Sequence, residues 1–296
     1  MEVETRDRAG LRLRLMRSSW VPRAQVEAAL DTLLRLATGP RFSGERISPL
    51  GTTTVAKGGG VSGPGARRHS ARRWFLGAFP PAEAEALNLD WLCERLFNAA
   101  SPVLALTVWR RGVLRGQLLL TRPVAGVVEL DRAWESAQDR PALAAELGTE
   151  LGRMHALRFV HGDAYARNLL VADAPLANGP GIGRRVVFVD AWAGGPAGSR
   201  SRALRPLERD LGCLFLDAAG WMEAEHQLTL LRRYRDARIE NGRPIKDSAA
   251  WLAAVGRARA REVRRLEARP GRLRANSPPP ERWRIDPAAL RGDRSH

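Results

Sequence analysis

Two carboxylates and one amide stand in an order that suits chemistry on a phosphate. Asp163 lies in His161-Gly162-Asp163-Ala164-Tyr165-Ala166-Arg167-Asn168, with Asn168 five positions after it. A second acid, Asp190, ends the apolar run Val186-Val187-Phe188-Val189. A carboxylate on a loop can accept a proton from a hydroxyl nucleophile. An amide oxygen and a carboxylate at the end of a buried strand can converge on Mg²⁺ bridging the phosphates of ATP. Three separated elements agree, and the reaction they point to is phosphoryl transfer of the kinase type.

Lysine adds a second signal. The chain holds 48 Lys and Arg residues, yet only Lys57 and Lys246 are lysines. Lys57 closes Thr52-Thr53-Thr54-Val55-Ala56-Lys57, a β-branched run that reads as a strand. A compact ammonium suits a narrow site at the α/β-phosphates better than a planar guanidinium does. The plain alternative is a surface lysine. Its place ahead of the other motifs favours the functional reading.

The elements that position these groups can be read along the chain. Leu11-Arg12-Leu13-Arg14-Leu15 alternates as a strand, and residues 45–57 read as a hairpin turning near Gly51. Residues 57–65 are glycine-rich and precede Arg67, Arg68, Arg72 and Arg73, which predicts a mobile loop. Pro80-Pro81 opens a helix over residues 82–97, and residues 103–109 and 114–121 form a second hairpin across Arg110-Arg111-Gly112. After a crossover at residues 123–126 the texture turns helical, with helices over 141–157, 206–219, 221–239 and 249–268. Short strands at 169–172 and 186–189 flank a Gly/Pro-rich connection. The predicted fold is α+β and protein-kinase-like with two lobes. Residues 1–124 form a small β-rich N-lobe with one helix that binds the nucleotide. Residues 125–270 form a larger helical C-lobe with the catalytic loop and acceptor site, and residues 271–296 a basic, Pro-containing, loosely ordered tail.

Bulk properties narrow the class. At 296 residues, 44% hydrophobic and 27% charged, the chain suits a globular protein with an ample core. No apolar stretch approaches the ~18 residues that span a bilayer, and the first twenty residues mix Glu, Asp and Arg, unlike a secretory signal. Cys93 and Cys213 are isolated and five histidines are scattered, so a zinc site is not expected and a reducing cytoplasm is. The net charge is +16, and residues 232–296 hold 18 basic and 8 acidic residues, a net of +10. Such an excess suits nucleic acid, an anionic membrane surface or a polyanionic substrate.

The order Val55-Ala56-Lys57, Glu83/Glu85, Leu151-Gly152-Arg153-Met154-His155, His161-Gly162-Asp163, Asn168, Asp190 and Arg209-Asp210-Leu211 resembles the bacterial lipopolysaccharide core kinases. These are the Kdo/heptose kinase family of the protein-kinase-like superfamily. The likeness covers residues 45–219 and is most specific over residues 154–190. It implies Asp163 as catalytic base, and Asn168 and Asp190 as Mg²⁺ ligands. Lys57 would be the ATP-binding lysine, paired with a carboxylate from the helix after Pro81. Glu83 and Glu85 both qualify, and the apolar residues that follow favour Glu85. By the same resemblance His161 braces the catalytic loop, and Asp210, besides capping its own helix, holds the loop's backbone amides from below. His155 reads as a core histidine. Arg200, Arg202 and Arg205 could clamp an acidic sugar, or form a solvated basic loop.

The sequence departs from the wider superfamily in two places. Asp190-Ala191-Trp192 replaces Asp-Phe-Gly, and no GxGxxG covers the phosphates; Gly44, Gly51 and Gly58-Gly59-Gly60 are the glycines at hand. The short span from Asp190 to Asp210, without Ala-Pro-Glu, argues against a protein substrate. The expectation is an ATP- and Mg²⁺-dependent cytoplasmic kinase for a hydroxyl of Kdo or heptose in the lipopolysaccharide inner core. Its partner would be a small-molecule or glycolipid acceptor, with peripheral contact at the inner membrane through the basic C-terminal region. The rivals are a kinase for another acceptor, a weakly catalytic nucleotide-binding scaffold, and, least favoured, a nucleic-acid binder acting through its basic tail.

Overall fold

The computed structural model describes residues 1–176, 181, 183–197, 206–268, 285 and 290. The chain divides into two compact units, one of Met1–Ala125 with Asp190–Ala203 and one of Gly126–Val189 with Leu204–His296.

The first unit is built on a six-stranded antiparallel sheet. In chain order its elements are β1 (Glu2–Arg8), β2 (Leu11–Arg17), α1 (Arg23–Thr38), β3 (Phe42–Ile47), β4 (Thr54–Gly60), α2 (Gly63–Leu76), α3 (Pro81–Glu94), the short β5 (Asn98–Ala99), β6 (Pro102–Arg110) and β7 (Val113–Thr121). The sheet order is β1-β2-β6-β7-β4-β3. Strand alternation sorts side chains onto two faces. Leu13, Leu15, Ala56, Leu104, Leu106, Leu118 and Leu120 pack with Val26, Leu30 and Leu33 of α1. Met16, Ala105 and Leu119 pack on the other side with Ala82 and Ala86 of α3. Lys57 pairs in register with Leu119 and follows Ala56, so it points to the α3 face.

Two expectations change here. Residues 57–65 are not a loop: Gly58, Gly59 and Gly60 extend β4, and the arginines after them ride on α2. The glycines serve a close chain crossing. A Cβ on Gly59 would lie 2.6 Å from the Pro40 carbonyl oxygen, and one on Gly116 opposite would lie 2.2 Å from that of Ala37. Among the described residues the unit carries three α-helices rather than one. α1 and α2 join the expected α3; the buried face of α2 is only Ala66 and Ser70, too small to stand out as an apolar stripe.

The second unit is mostly helical. It contains β8 (Val127–Glu129), α4 (Leu130–Ser136), α5 (Arg140–Ala156), β9 (Phe159–Val160), β10 (Leu169–Ala172), β11 (Val186–Phe188), α6 (Glu208–Ala218), α7 (Ala224–Glu240) and α8 (Ser248–Glu267). β10 pairs antiparallel with β11 and β8. Asp139 caps α5 by accepting from the Ala142 amide at 2.8 Å, and Asp247 caps α8 in the same way. Glycine permits α5 and α7 to pack at backbone distance: a Cβ on Gly148 would lie 2.2 Å from the Leu230 carbonyl oxygen. α8 buries Trp251, Leu252, Val255 and Val263 within the unit and leaves Arg257, Arg261 and Arg264 exposed. The tail expected to be loosely ordered lies outside the described residues, apart from Ile285 and Leu290.

Candidate active site

In the first unit, Lys57 sits between two carboxylates. Its ammonium forms an ion pair with Glu85 of α3 and donates to Asp190 Oδ1 at 2.7 Å. Positions two apart on a helix face opposite ways, and this separates the two glutamates. Glu85 faces the sheet lysine. Glu83 pairs with Arg14 and accepts from Thr107 Oγ1 at 2.6 Å. Asn88, one turn beyond Glu85 on the same face, donates to the Ala191 carbonyl at 2.7 Å. α3 therefore orients the lysine and anchors the turn that begins at Asp190.

Asp190 adopts φ 60°, ψ 37°, the left-handed region that an Asp tolerates better than most residues. A short 3-10 turn, Ala191–Ala193, follows it. The conformation turns the carboxylate out of the strand direction and back toward Lys57. A cleft of about 610 Å³ opens beside these groups, lined by Lys57, Glu85 and Asp190 together with Arg41, His69 and Gln117.

Electrostatics follow from burial. Desolvation raises the Glu85 carboxyl to about 7, with Lys57 pulling the other way. Burial by itself would lower the Lys57 pKa, but the charges of Glu85 and Asp190 outweigh it and raise it. His69 is held below its ordinary value by burial and by Arg72, Arg68 and Arg41, so it faces the cleft as a neutral ring.

In the second unit, the segment His161–Asn168 is held from beneath by a buried carboxylate. Asp210, on the first turn of α6, accepts from the His161 amide at 2.6 Å and the Gly162 amide at 2.7 Å. It also accepts from His155 Nε2 at 3.1 Å. Since Nε2 faces a carboxylate, it carries the proton, and His155 Nδ1 accepts from the Tyr234 hydroxyl at 2.7 Å. Tyr234 in turn stacks on Trp251 of α8, with ring centroids 5.3 Å apart. Burial would raise the Asp210 pKa, yet the His155 and His161 hydrogen bonds hold it lowered. The Asp210 side chain is spent on the loop and His155, not on capping α6. His161 Nε2 donates to the Val189 carbonyl at 2.9 Å, tying the loop to the end of β11.

Asp163 is mostly buried, and its Oδ2 accepts from Asn168 Nδ2 at 3.2 Å and lies 3.6 Å from Arg167. Asn168 also donates Nδ2 to the Asp163 carbonyl at 2.7 Å, which fixes its amide orientation and turns Oδ1 away as a free acceptor. Lys57 engages only one oxygen of Asp190. An amide oxygen and a carboxylate oxygen are each the hard donor type that Mg²⁺ takes, commonly one or two from the protein with water and substrate phosphates completing its shell. No cluster of three His, Cys, Asp or Glu side chains able to hold a metal occurs among the described residues.

Reading the sequence missed a second support. Tyr165 donates to Glu262 at 2.9 Å and accepts from Arg265 Nη2 at 2.8 Å. Arg209 donates to the Gly162 carbonyl at 3.1 Å and pairs with Glu262. Glu262, buried in a basic helix, was the available signal. Arg200, Arg202 and Arg205 lie outside the described residues.

Comparison with known proteins adds the following. A profile of the lipopolysaccharide kinase (Kdo/WaaP) family matches residues 68–234, more than half of the chain. Comparison with curated proteins gives no match. Among solved structures, a WaaP in complex with acyl carrier protein is 18% identical and aligns over 84% of this chain and 98% of its own, with a TM-score of 0.49. A glucosamine kinase in complex with glucosamine, ADP and inorganic phosphate is 18% identical over 89% of each chain, with a TM-score of 0.42. A Rio2 kinase from Chaetomium thermophilum is 15% identical over 91% of this chain and 72% of its own, with a TM-score of 0.40.

Proposed function

The chain belongs to the lipopolysaccharide kinase (Kdo/WaaP) family, and from that premise we propose that it moves the γ-phosphoryl group of ATP to a hydroxyl of an inner-core Kdo or heptose. The observation that carries the nucleotide half of this reading is Lys57, held between Glu85 and Asp190 on the wall of the 610 Å³ cleft. Sites of that volume are ordinary for small ligands and cofactors.

Lys57 neutralises nonbridging oxygens of the nucleotide, and Glu85 keeps its ammonium directed. Asp163 receives the acceptor hydroxyl as a hydrogen-bond donor and takes its proton as the bond to phosphorus forms. Arg167, 3.6 Å from Asp163 Oδ2, stands beside the base. Asn168 Oδ1 and the Asp190 carboxylate would hold Mg²⁺, which when bound offsets charge building on the phosphates. Asp210 and His161 keep the loop backbone fixed, so that little reorganisation accompanies transfer. The acceptor is read as a glycolipid at the cytoplasmic face of the inner membrane.

The test is acceptor identification. Purified protein with γ-labelled ATP and Mg²⁺ is offered core oligosaccharide, small alcohols and protein in parallel, and products are read by mass spectrometry. Label on a Kdo or heptose hydroxyl is the expected result. Label confined to an alcohol or a protein would reassign the acceptor, and nucleotide-induced thermal stabilisation without transfer to anything would favour a scaffold.

A further inference from the structure

Helix α2 carries Arg67, Arg68, Arg72 and Arg73 and no acidic residue. It packs inward through Ala66 and Ser70, near Val61, Trp109 and Leu114. Its last turn then presents Trp74, Phe75 and Leu76 outward, 72%, 86% and 67% exposed. Exposed large apolar residues elsewhere, such as Leu96, Leu157 and Ile239, are scattered singly, which is ordinary for a protein surface, whereas three in a row are not. Gly77, at φ 61°, ends the helix directly after them and Ala78 is buried, so the three side chains stand at a projecting helix end.

The arginines near this end are only partly compensated: Arg14 pairs with Glu83 and Arg12 with Asp7. Arg73 pairs with Glu83 and lies over the Trp109 ring at 5.4 Å. Among the described residues, no ion pair engages Arg67, Arg68 or Arg72. Beside the helix end lies a groove of about 1090 Å³ whose walls include Arg12, Arg14, Arg111, Trp74, Phe79 and Trp109. Within it Arg14 lies over the Phe79 ring at 5.4 Å.

We propose that this face of the first unit docks on an anionic phospholipid bilayer. Trp74, Phe75 and Leu76 enter the interfacial layer, while Arg67, Arg68 and Arg72 meet lipid phosphates. Tryptophan and phenylalanine at a basic helix end match the chemistry of that layer, with apolar bodies below the headgroups and cations level with them. A second copy of this chain is a poorer occupant, because a two-fold contact would set the unpaired arginines near their own equivalents. The proposal stands on this patch alone and needs no assumption about the acceptor of phosphoryl transfer.

Full-length protein sedimented with phosphatidylcholine vesicles, with and without phosphatidylglycerol, reads the contact directly. Wild type should bind only the phosphatidylglycerol vesicles, and added salt should weaken that binding. Trp74→Ser/Phe75→Ser/Leu76→Ser should lower the partition coefficient at least tenfold. Arg67→Ser/Arg68→Ser should lower it by about fivefold per arginine. Both sets of residues are exposed, and among the described residues the one hydrogen bond removed is that of Trp74 Nε1 to the Gly112 carbonyl at 3.2 Å, so circular dichroism should match wild type. Arg257→Ser/Arg261→Ser on α8 should leave binding unchanged. The proposal is overturned if wild type ignores phosphatidylglycerol, if the α2 variants bind as wild type does, or if the α8 variant alone loses binding. A dimer in light scattering that the Trp74, Phe75 and Leu76 substitutions dissolve, with vesicle binding unaltered, would also overturn it.

Discussion

Replacing Asp210 by Asn should cost a large share of the protein's stability while barely changing side-chain volume. The carboxylate is fully buried and accepts from two backbone amides and one imidazole N–H. Asparagine keeps one acceptor oxygen, and its NH₂ must face at least one of those donors. Leaving a buried donor unmatched costs about 1–3 kcal/mol, and bonds to a charged acceptor lie at the upper end. One or two donors so affected give a loss of about 2–5 kcal/mol, against a total of roughly 5–15 kcal/mol for a folded domain. Urea unfolding at pH 7 measures this as a lower midpoint with an unchanged slope. Hydrogen exchange adds a local reading: the His161 and Gly162 amides should lose protection.

The pH dependence fixes the cause. Because the folded-state pKa of Asp210 is lowered, its contribution is complete above the unfolded value of roughly 3.9 and is lost as pH falls through the folded value. The gap between wild type and Asp210→Asn should stay constant from pH 8 to pH 5 and shrink below about pH 4. Equal midpoints at pH 7, or a gap that widens on acidification, would refute the claim that this carboxylate holds the loop by accepting hydrogen bonds.

Glu85, raised to about 7 by burial, takes up a proton as pH falls through that value and releases its hold on Lys57. Turnover should therefore drop on the acid side with an apparent pKa near 7, and a pH–rate profile of Glu85→Gln should be lower and without that limb. Gly148→Ala should destabilise the protein by about 2 kcal/mol or more in thermal unfolding. The backbone collision with Leu230 exceeds the ~1 kcal/mol of helix propensity that alanine adds. Gly65→Ala on α2, where a Cβ meets nothing within 4 Å, should instead raise stability by about 0.5–1 kcal/mol.

Much of this organisation was legible because it rests on short-range chemistry. The Lys57 strand announces itself by its β-branched run and the second hairpin by Arg110-Arg111-Gly112, and the helix expected over residues 141–157 is found at Arg140–Ala156. α1 and α2 did not. Their helical faces are built from alanine, serine and leucine interspersed with arginine, and the glycines before α2 look like a loop until the Thr38–Arg41 backbone is seen crossing them. The choice between Glu83 and Glu85 was close in sequence because either carboxylate could reach a lysine. Strand register decides it by placing Arg14 and Thr107 beside Glu83. The Tyr165–Glu262–Arg265 support joins residues about a hundred positions apart, and no local pattern encodes such a pairing.

The most direct test of the central claim separates nucleotide binding from transfer. Asp163→Ala should bind ATP in the presence of Mg²⁺ within a fewfold of wild type, by calorimetry, while transfer to core oligosaccharide falls by a factor on the order of 10³ or more. Wild-type turnover in that variant would remove Asp163 as the base and contradict the account.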